Sequence, residues 1–112
     1  MNEEQIKKLL LALNFDVMSQ GFLYWVKAIE YRFELKNDFN MQELYREILK
    51  RLNIKDKTKG SVERCMRHCR KDSNIKEYYN YNKKGNITNK EVLNLIYFMT
   101  DIKNLYPKIR MF

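Results

Sequence analysis

The sequence predicts one all-α domain of about six helices, covering residues 1–112. Apolar residues recur at helical spacing in every long segment, and no alternation of period two persists for the length of a strand. Hydrophobic residues make up 45% of the chain, and only three glycines and one proline interrupt the pattern. This composition favours a compact helical fold around a single core.

The first two predicted helices contribute to that core, and the second is the best candidate for its centre. Residues 3–13 begin with two glutamates, which the dipole of a helix start favours. Their apolar face consists of Ile6, Leu9, Leu10 and Leu13. Ser19 is the candidate cap of the second helix. That helix has a wide apolar stripe, formed by Phe22, Trp25, Val26, Ile29 and Phe33.

The next two predicted helices are joined by a short polar turn. Asn40 is the expected cap of a helix over residues 41–52, and Thr58 is the expected cap of a helix over residues 59–71. Two helices of this length with a short connection are typical of a helix-turn-helix.

The C-terminal part of the chain has a weaker pattern. Residues 74–81 form either a short helix or irregular structure, and a glycine-containing turn is expected at 83–86. Thr88 and Glu91 have the spacing of a capping box, which predicts a last helix. Pro107 is expected to end that helix.

The predicted helix 59–71 has an apolar back and a charged front. Its apolar positions, at the spacing of one buried face, are Val62, Cys65, Met66 and Cys69. The positions expected to face outwards are Glu63, Arg64, Arg67, Arg70 and Lys71. Arginine can donate two hydrogen bonds to guanine, and glutamate can accept one from the amine of cytosine. The pattern therefore indicates a helix that reads the major groove of DNA.

Positive charge is concentrated around this helix. The net charge is +8, to which residues 1–45 contribute −2 from 5 basic and 7 acidic side chains. Residues 46–71 contribute +7 from 10 basic and 3 acidic side chains, and residues 72–112 contribute +3. A focused basic block is typical of a surface that binds a polyanion. The expected phosphate contacts are Lys50, Arg51, Lys55, Lys57, Lys59 and Lys71.

Three segments share a family resemblance. The segment GFLYWVKAI matches a family helix through Gly21, Phe22, Tyr24, Ala28 and Ile29. The segment LYREI matches the next through Leu44, Tyr45 and Ile48. The segment SVERCMRH matches a recognition helix through Val62, Glu63, Arg64, Arg67 and His68. Together they resemble the C-terminal DNA-binding effector domain of the sporulation-initiation master response regulators of spore-forming Firmicutes.

The resemblance implies a winged-helix-like effector domain without strands, which reads a short operator box. By position it implies base contacts from Glu63, Arg64 and Arg67, and phosphate contacts from Ser61 and His68 as well as Lys59. It also implies homodimers on tandem boxes. As an alternative, a free-standing effector could associate with a related full-length regulator. We expect a stand-alone effector without the family's receiver domain, and the turn between the two helices is longer than the family's.

Cys65, His68 and Cys69 raise the question of a metal site. A structural zinc site needs four ligands, and His68 is the only histidine in the chain. Two small buried cysteines are therefore the favoured interpretation. His68 has neither a nucleophile placed by a motif nor a glycine-rich phosphate loop beside it. We accordingly expect no enzyme, no cofactor and no metal.

The sequence therefore favours a cytoplasmic transcription regulator that binds double-stranded DNA at specific sequences. No apolar run approaches the roughly 20 residues that span a bilayer, and the N-terminus does not resemble a signal peptide. The alternative is a protein-interaction module, or an inhibitor encoded by a mobile element, that binds a host regulator or nucleic-acid machine. Its candidate contacts are the tyrosines Tyr78, Tyr79 and Tyr81.

Overall fold

The computed structural model describes residues 1–35, 38–78 and 87–105. Within these ranges the α-helices are α1 (Glu3–Ala12), α2 (Gly21–Glu34), α3 (Met41–Arg51), α4 (Lys59–Cys69) and α5 (Asn89–Leu105). No strand occurs in the same ranges, which confirms the all-α prediction. The predicted count of about six helices is corrected there to five α-helices, because residues Ile75–Tyr78 form only a short 3-10 helix.

Side-chain caps begin three helices at the predicted residues. Asn40 Oδ1 accepts a hydrogen bond from the first turn of α3 at 2.7 Å, and Thr58 Oγ1 accepts one from the first turn of α4 at 3.1 Å. Thr88 and Glu91 form the predicted capping box, with reciprocal hydrogen bonds of 3.0 and 3.1 Å. These contacts satisfy backbone amides that have no partner within the helix.

Helix α2 begins differently from the prediction. Gln20 is its N-cap residue and makes no side-chain hydrogen bond to the helix. The predicted cap, Ser19, lies one residue earlier, and its Oγ accepts a hydrogen bond from the Gly21 amide at 3.2 Å. The Ser19 hydroxyl therefore satisfies an amide in the first turn of α2, although Ser19 is not the N-cap residue.

Two asparagines in the left-handed conformation end α1 and α3. Asn14 has φ of 61° and Asn53 has φ of 54°, a region that asparagine tolerates better than most residues. The amides of Phe15 and Ile54 then bond at 3.0 and 2.9 Å to carbonyls five residues earlier, as in a Schellman motif. Phe15 and Ile54 consequently turn back onto the core.

Helix α2 contacts each of the other four α-helices and forms the centre of the core, as its wide stripe predicted. Trp25 is fully buried, and its indole Nε1 donates a hydrogen bond to the Met66 carbonyl at 2.8 Å. The ring of Phe15 meets the indole edge-on, with 5.3 Å between centroids. Gly21 allows α2 and α4 to touch, because a Cβ there would lie 2.1 Å from the Cys65 carbonyl oxygen.

Three helices end one or two residues earlier than predicted. Helices α1 and α3 end one residue before the predicted positions, and α4 ends at Cys69, two residues before the predicted end. The turn at 83–86, the stop at Pro107 and the contacts of Tyr79 and Tyr81 lie outside the described residues. Over the ranges that the structure covers, none of the helices has both the length and the apolar composition needed to cross a membrane.

Candidate nucleic-acid interface

The outward face of α4 bears exposed basic and polar side chains. Its exposed members are Arg64, Arg67 and His68, and Lys71 follows the helix. The opposite face is closed by side chains that are almost completely buried, namely Val62, Met66 and Cys69. The apolar back and the charged front predicted for this helix are thus both present.

The three residues expected to contact bases differ in their present partners. Arg67 Nε lies 3.4 Å from Glu63 Oε1, and these side chains are 58% and 38% exposed. A pair at this spacing on an exposed face stabilises a helix by only a few tenths of a kcal/mol, so either side chain can leave it at small cost. Arg64 is exposed and makes no ion pair or hydrogen bond with any residue in the described ranges.

Most of the expected phosphate contacts lie at the surface. The exposed ones are Lys50, Lys55, Lys57, His68 and Lys71. Lys59 and Ser61 are half-buried in the first turn of α4. Lys55 and Lys57 are thus exposed in the polar turn that precedes the start of α4.

Arg51 is held by carboxylates of the protein itself. Its two Nη atoms both donate to Glu34, one at 3.0 Å, and its Nε donates to Glu47 at 3.1 Å. Its guanidinium also lies 5.2 Å from the centre of the Tyr31 ring. The bonds from Arg51 hold the pKa of the Glu34 carboxyl below its usual range. Through these contacts Arg51 links α3 to α2, and a phosphate would compete with two carboxylates of the protein itself.

Arg70 does not belong to the charged front, and the prediction that placed it there is wrong. It is buried at the C-cap of α4, where Nε donates to Asn89 Oδ1 at 2.7 Å and Nη2 donates to the Ile87 carbonyl at 2.9 Å. Burial lowers the pKa of the guanidinium. Arg70 follows the buried Met66 by four positions, so it lies at the margin of the apolar face and its long side chain turns inwards.

Asn89 joins three helices through one buried amide. Its Oδ1 accepts from Arg70, while its Nδ2 lies 3.2 Å from the Glu63 carbonyl oxygen and 3.4 Å from the Tyr45 hydroxyl. We call Tyr45, Arg70 and Asn89 the Asn89 cluster. It ties α3 and the start of α5 to one side of α4. No sequence pattern indicated this cluster, because an asparagine at a helix start is ordinary.

The two cysteines are free thiols, and both pack against the core. Cys69 is buried, as expected, and burial raises its pKa to about 11. Cys65 is only half-buried and lies beside Arg64 and His68 at the edge of the charged front. Within the described ranges, no group of three or more His, Cys, Asp or Glu side chains is arranged to hold a metal ion.

Comparison with known proteins found no match to the chain among protein-family models, curated proteins or solved structures. The family resemblance therefore stays a prediction that rests on its three sequence motifs. The structure adds an observation that does not depend on it, which is a firmly packed helix with exposed arginines on its outward face.

Proposed function

We propose that this chain binds double-stranded DNA at specific sequences and acts as a transcription regulator. In this proposal α3 and α4 form a helix-turn-helix, with α4 in the major groove and α3 across the phosphate backbone. The observation that carries the proposal is the outward face of α4. Arg64 and Arg67 are exposed on this face, and the opposite face of the helix packs against the core.

The contacts that hold α4 in position support a role in recognising bases. The indole of Trp25 bonds to the Met66 carbonyl, Gly21 lies against Cys65, and the Asn89 cluster holds the other side of the helix. A side chain that discriminates between bases must be held in a defined position, because misplaced donors lose their selectivity. A helix fixed before binding also loses less conformational freedom when the complex forms.

The connection between α3 and α4 is longer than in the common form of the motif. Residues 52–58 separate the two helices, whereas a turn of about three or four residues is usual. The additional residues are ordered by the left-handed Asn53 and present Lys55 and Lys57 to solvent. In the proposed complex these lysines lie over the backbone at the entry of α4 into the groove, where they neutralise phosphates.

Two substitutions test which side chains contact bases and which contact phosphates. The DNA is a site recovered by selection from random duplexes. Arg64→Ala should cost about 1–3 kcal/mol on that site and much less on a scrambled duplex, because a lost base contact removes discrimination. Lys57→Ala should weaken both duplexes alike and reduce the slope of log affinity against log salt by about one unit. Fluorescence anisotropy at several salt concentrations measures both effects.

The same titrations can also show that Arg64 does not recognise bases directly. If Arg64→Ala bound the selected and the scrambled duplex with the ratio shown by the parent, Arg64 would not read bases. If no sequence were enriched by selection, and all duplexes bound equally, the proposal of sequence specificity would fail altogether.

A further inference from the structure

We propose that the α1–α2 loop, residues 13–20, is a second DNA-contacting element, and that Gln20 meets the phosphate backbone beside α4. The inference rests on the proposed function, because it assumes that the outward face of α4 meets a duplex. It adds a contact from a different part of the chain, which neither the charge pattern nor the sequence motifs indicated.

A groove lies between this loop and α4. The loop side consists of Asp16, Met18, Ser19 and Gln20, and the α4 side consists of Arg64, Cys65 and His68. Arg64 and His68 thus belong both to the face proposed to meet DNA and to the wall of this groove. A strand drawn towards Arg64 would therefore pass within reach of the opposite wall, where Gln20 is exposed.

The loop is attached firmly to the helix that it flanks. The Asp16 amide donates to the Cys69 carbonyl at 3.0 Å, and the Cys69 thiol donates to the Asp16 carbonyl at 3.4 Å. Near the start of the loop, Asn14 Nδ2 donates to the Asp72 carbonyl at 3.2 Å. Because these bonds tie the loop to the end of α4 and the residues after it, the groove is present before any ligand binds.

The side chains of the loop suit a backbone contact better than a base contact. Gln20 makes no cap hydrogen bond to α2, and a neutral amide is among the side chains that commonly donate to phosphate. Met18 is 89% exposed and offers an apolar surface to the sugar edge. Asp16 is the acidic side chain that lines the groove, and its Oδ1 accepts a hydrogen bond from the Met18 amide at 3.0 Å. Its charge opposes the phosphates and limits the affinity of the parent chain.

Charge substitutions at Gln20 test the contact on the selected and the scrambled duplex. Gln20→Lys should strengthen binding to both and steepen the salt slope by about one unit, while Gln20→Glu should weaken binding to both by about tenfold. The matched control is Glu4→Gln, which adds the same charge as Gln20→Lys. Glu4 is exposed in the first turn of α1 and does not line the groove. Its neighbour Glu3 pairs with Lys27, two turns along α2 from Gln20. We expect this control to change the affinity by less than twofold.

A photoreactive phenylalanine analogue at position 18 gives a readout that does not depend on charge. It should crosslink to the bound duplex, whereas the same analogue at position 4 should not. If the parent preferred its selected site but the Gln20 variants followed the Glu4→Gln control and position 18 gave no crosslink, the loop contact would be refuted while DNA binding stood. If the parent bound no duplex at all, the proposed function itself would fail.

Discussion

The substitution Arg70→Met tests whether Arg70 stabilises the fold or contacts DNA. Its guanidinium donates to Asn89 Oδ1 at 2.7 Å and to the Ile87 carbonyl at 2.9 Å, and the side chain is only 9% exposed. Methionine retains much of the aliphatic length but donates no hydrogen bond. The substitution therefore leaves two acceptors in the Asn89 cluster and the adjacent backbone without their donor.

The expected cost follows from these contacts. A buried acceptor left without a partner costs about 1–3 kcal/mol. Removing the buried charge returns part of that cost, because taking a guanidinium out of water is itself unfavourable by several kcal/mol. We expect Arg70→Met to lower the free energy of unfolding by about 2–3 kcal/mol after this offset.

Urea denaturation followed by circular dichroism measures this loss. The matched control is Arg67→Met, since Arg67 is 58% exposed and its change in stability should stay within about 0.5 kcal/mol. A cycle with Asn89→Leu should show a coupling of about 1 kcal/mol or more between positions 70 and 89. If Arg70→Met denatured with the parent and instead lowered the salt slope of DNA binding, Arg70 would be a phosphate contact and its structural assignment would be wrong.

Three further substitutions or reactions test the packing around α4. Gly21→Ala should destabilise the fold by about 1–3 kcal/mol, because its Cβ meets the Cys65 backbone and this clash exceeds the roughly 0.5–1 kcal/mol that alanine gains in a helix; an increase in the urea midpoint would contradict the close contact. Thr58→Ala should cost about 1 kcal/mol through the lost cap of α4, whereas Thr58→Ser should retain most of that stability in the same denaturation assay. At pH 8 an alkylating reagent should modify Cys65 well before Cys69, whose buried thiol has a pKa of about 11, and mass spectrometry of timed samples would reveal equal rates if this were wrong.

The features that sequence reasoning anticipated are the local ones. The caps at Asn40, Thr58 and Thr88 depend on residues within one turn, so their spacing alone predicts them. The burial of Trp25 and Met66 follows from helical periodicity, which requires no knowledge of the neighbouring element.

The features that sequence reasoning missed depend on contacts between distant segments. Arg70 was expected to face outwards because a charged residue usually does, yet Asn89 and the Ile87 carbonyl offer it buried acceptors. Arg51 has a carboxylate one turn away, but its stronger partner, Glu34, comes from α2. The α1–α2 loop, likewise, has no motif of its own, and only its bonds to the end of α4 bring it beside the charged face.

We propose above all that the outward face of α4 distinguishes one DNA sequence from another. The most direct test is the affinity of the parent chain for a selected duplex and for its scrambled counterpart, measured by anisotropy from low to near-physiological salt. We expect a preference for the selected duplex that persists as salt rises, because base contacts depend on salt far less than phosphate contacts do. Equal affinities that fall together with salt would contradict it, since they would show a cationic surface that binds DNA without reading it.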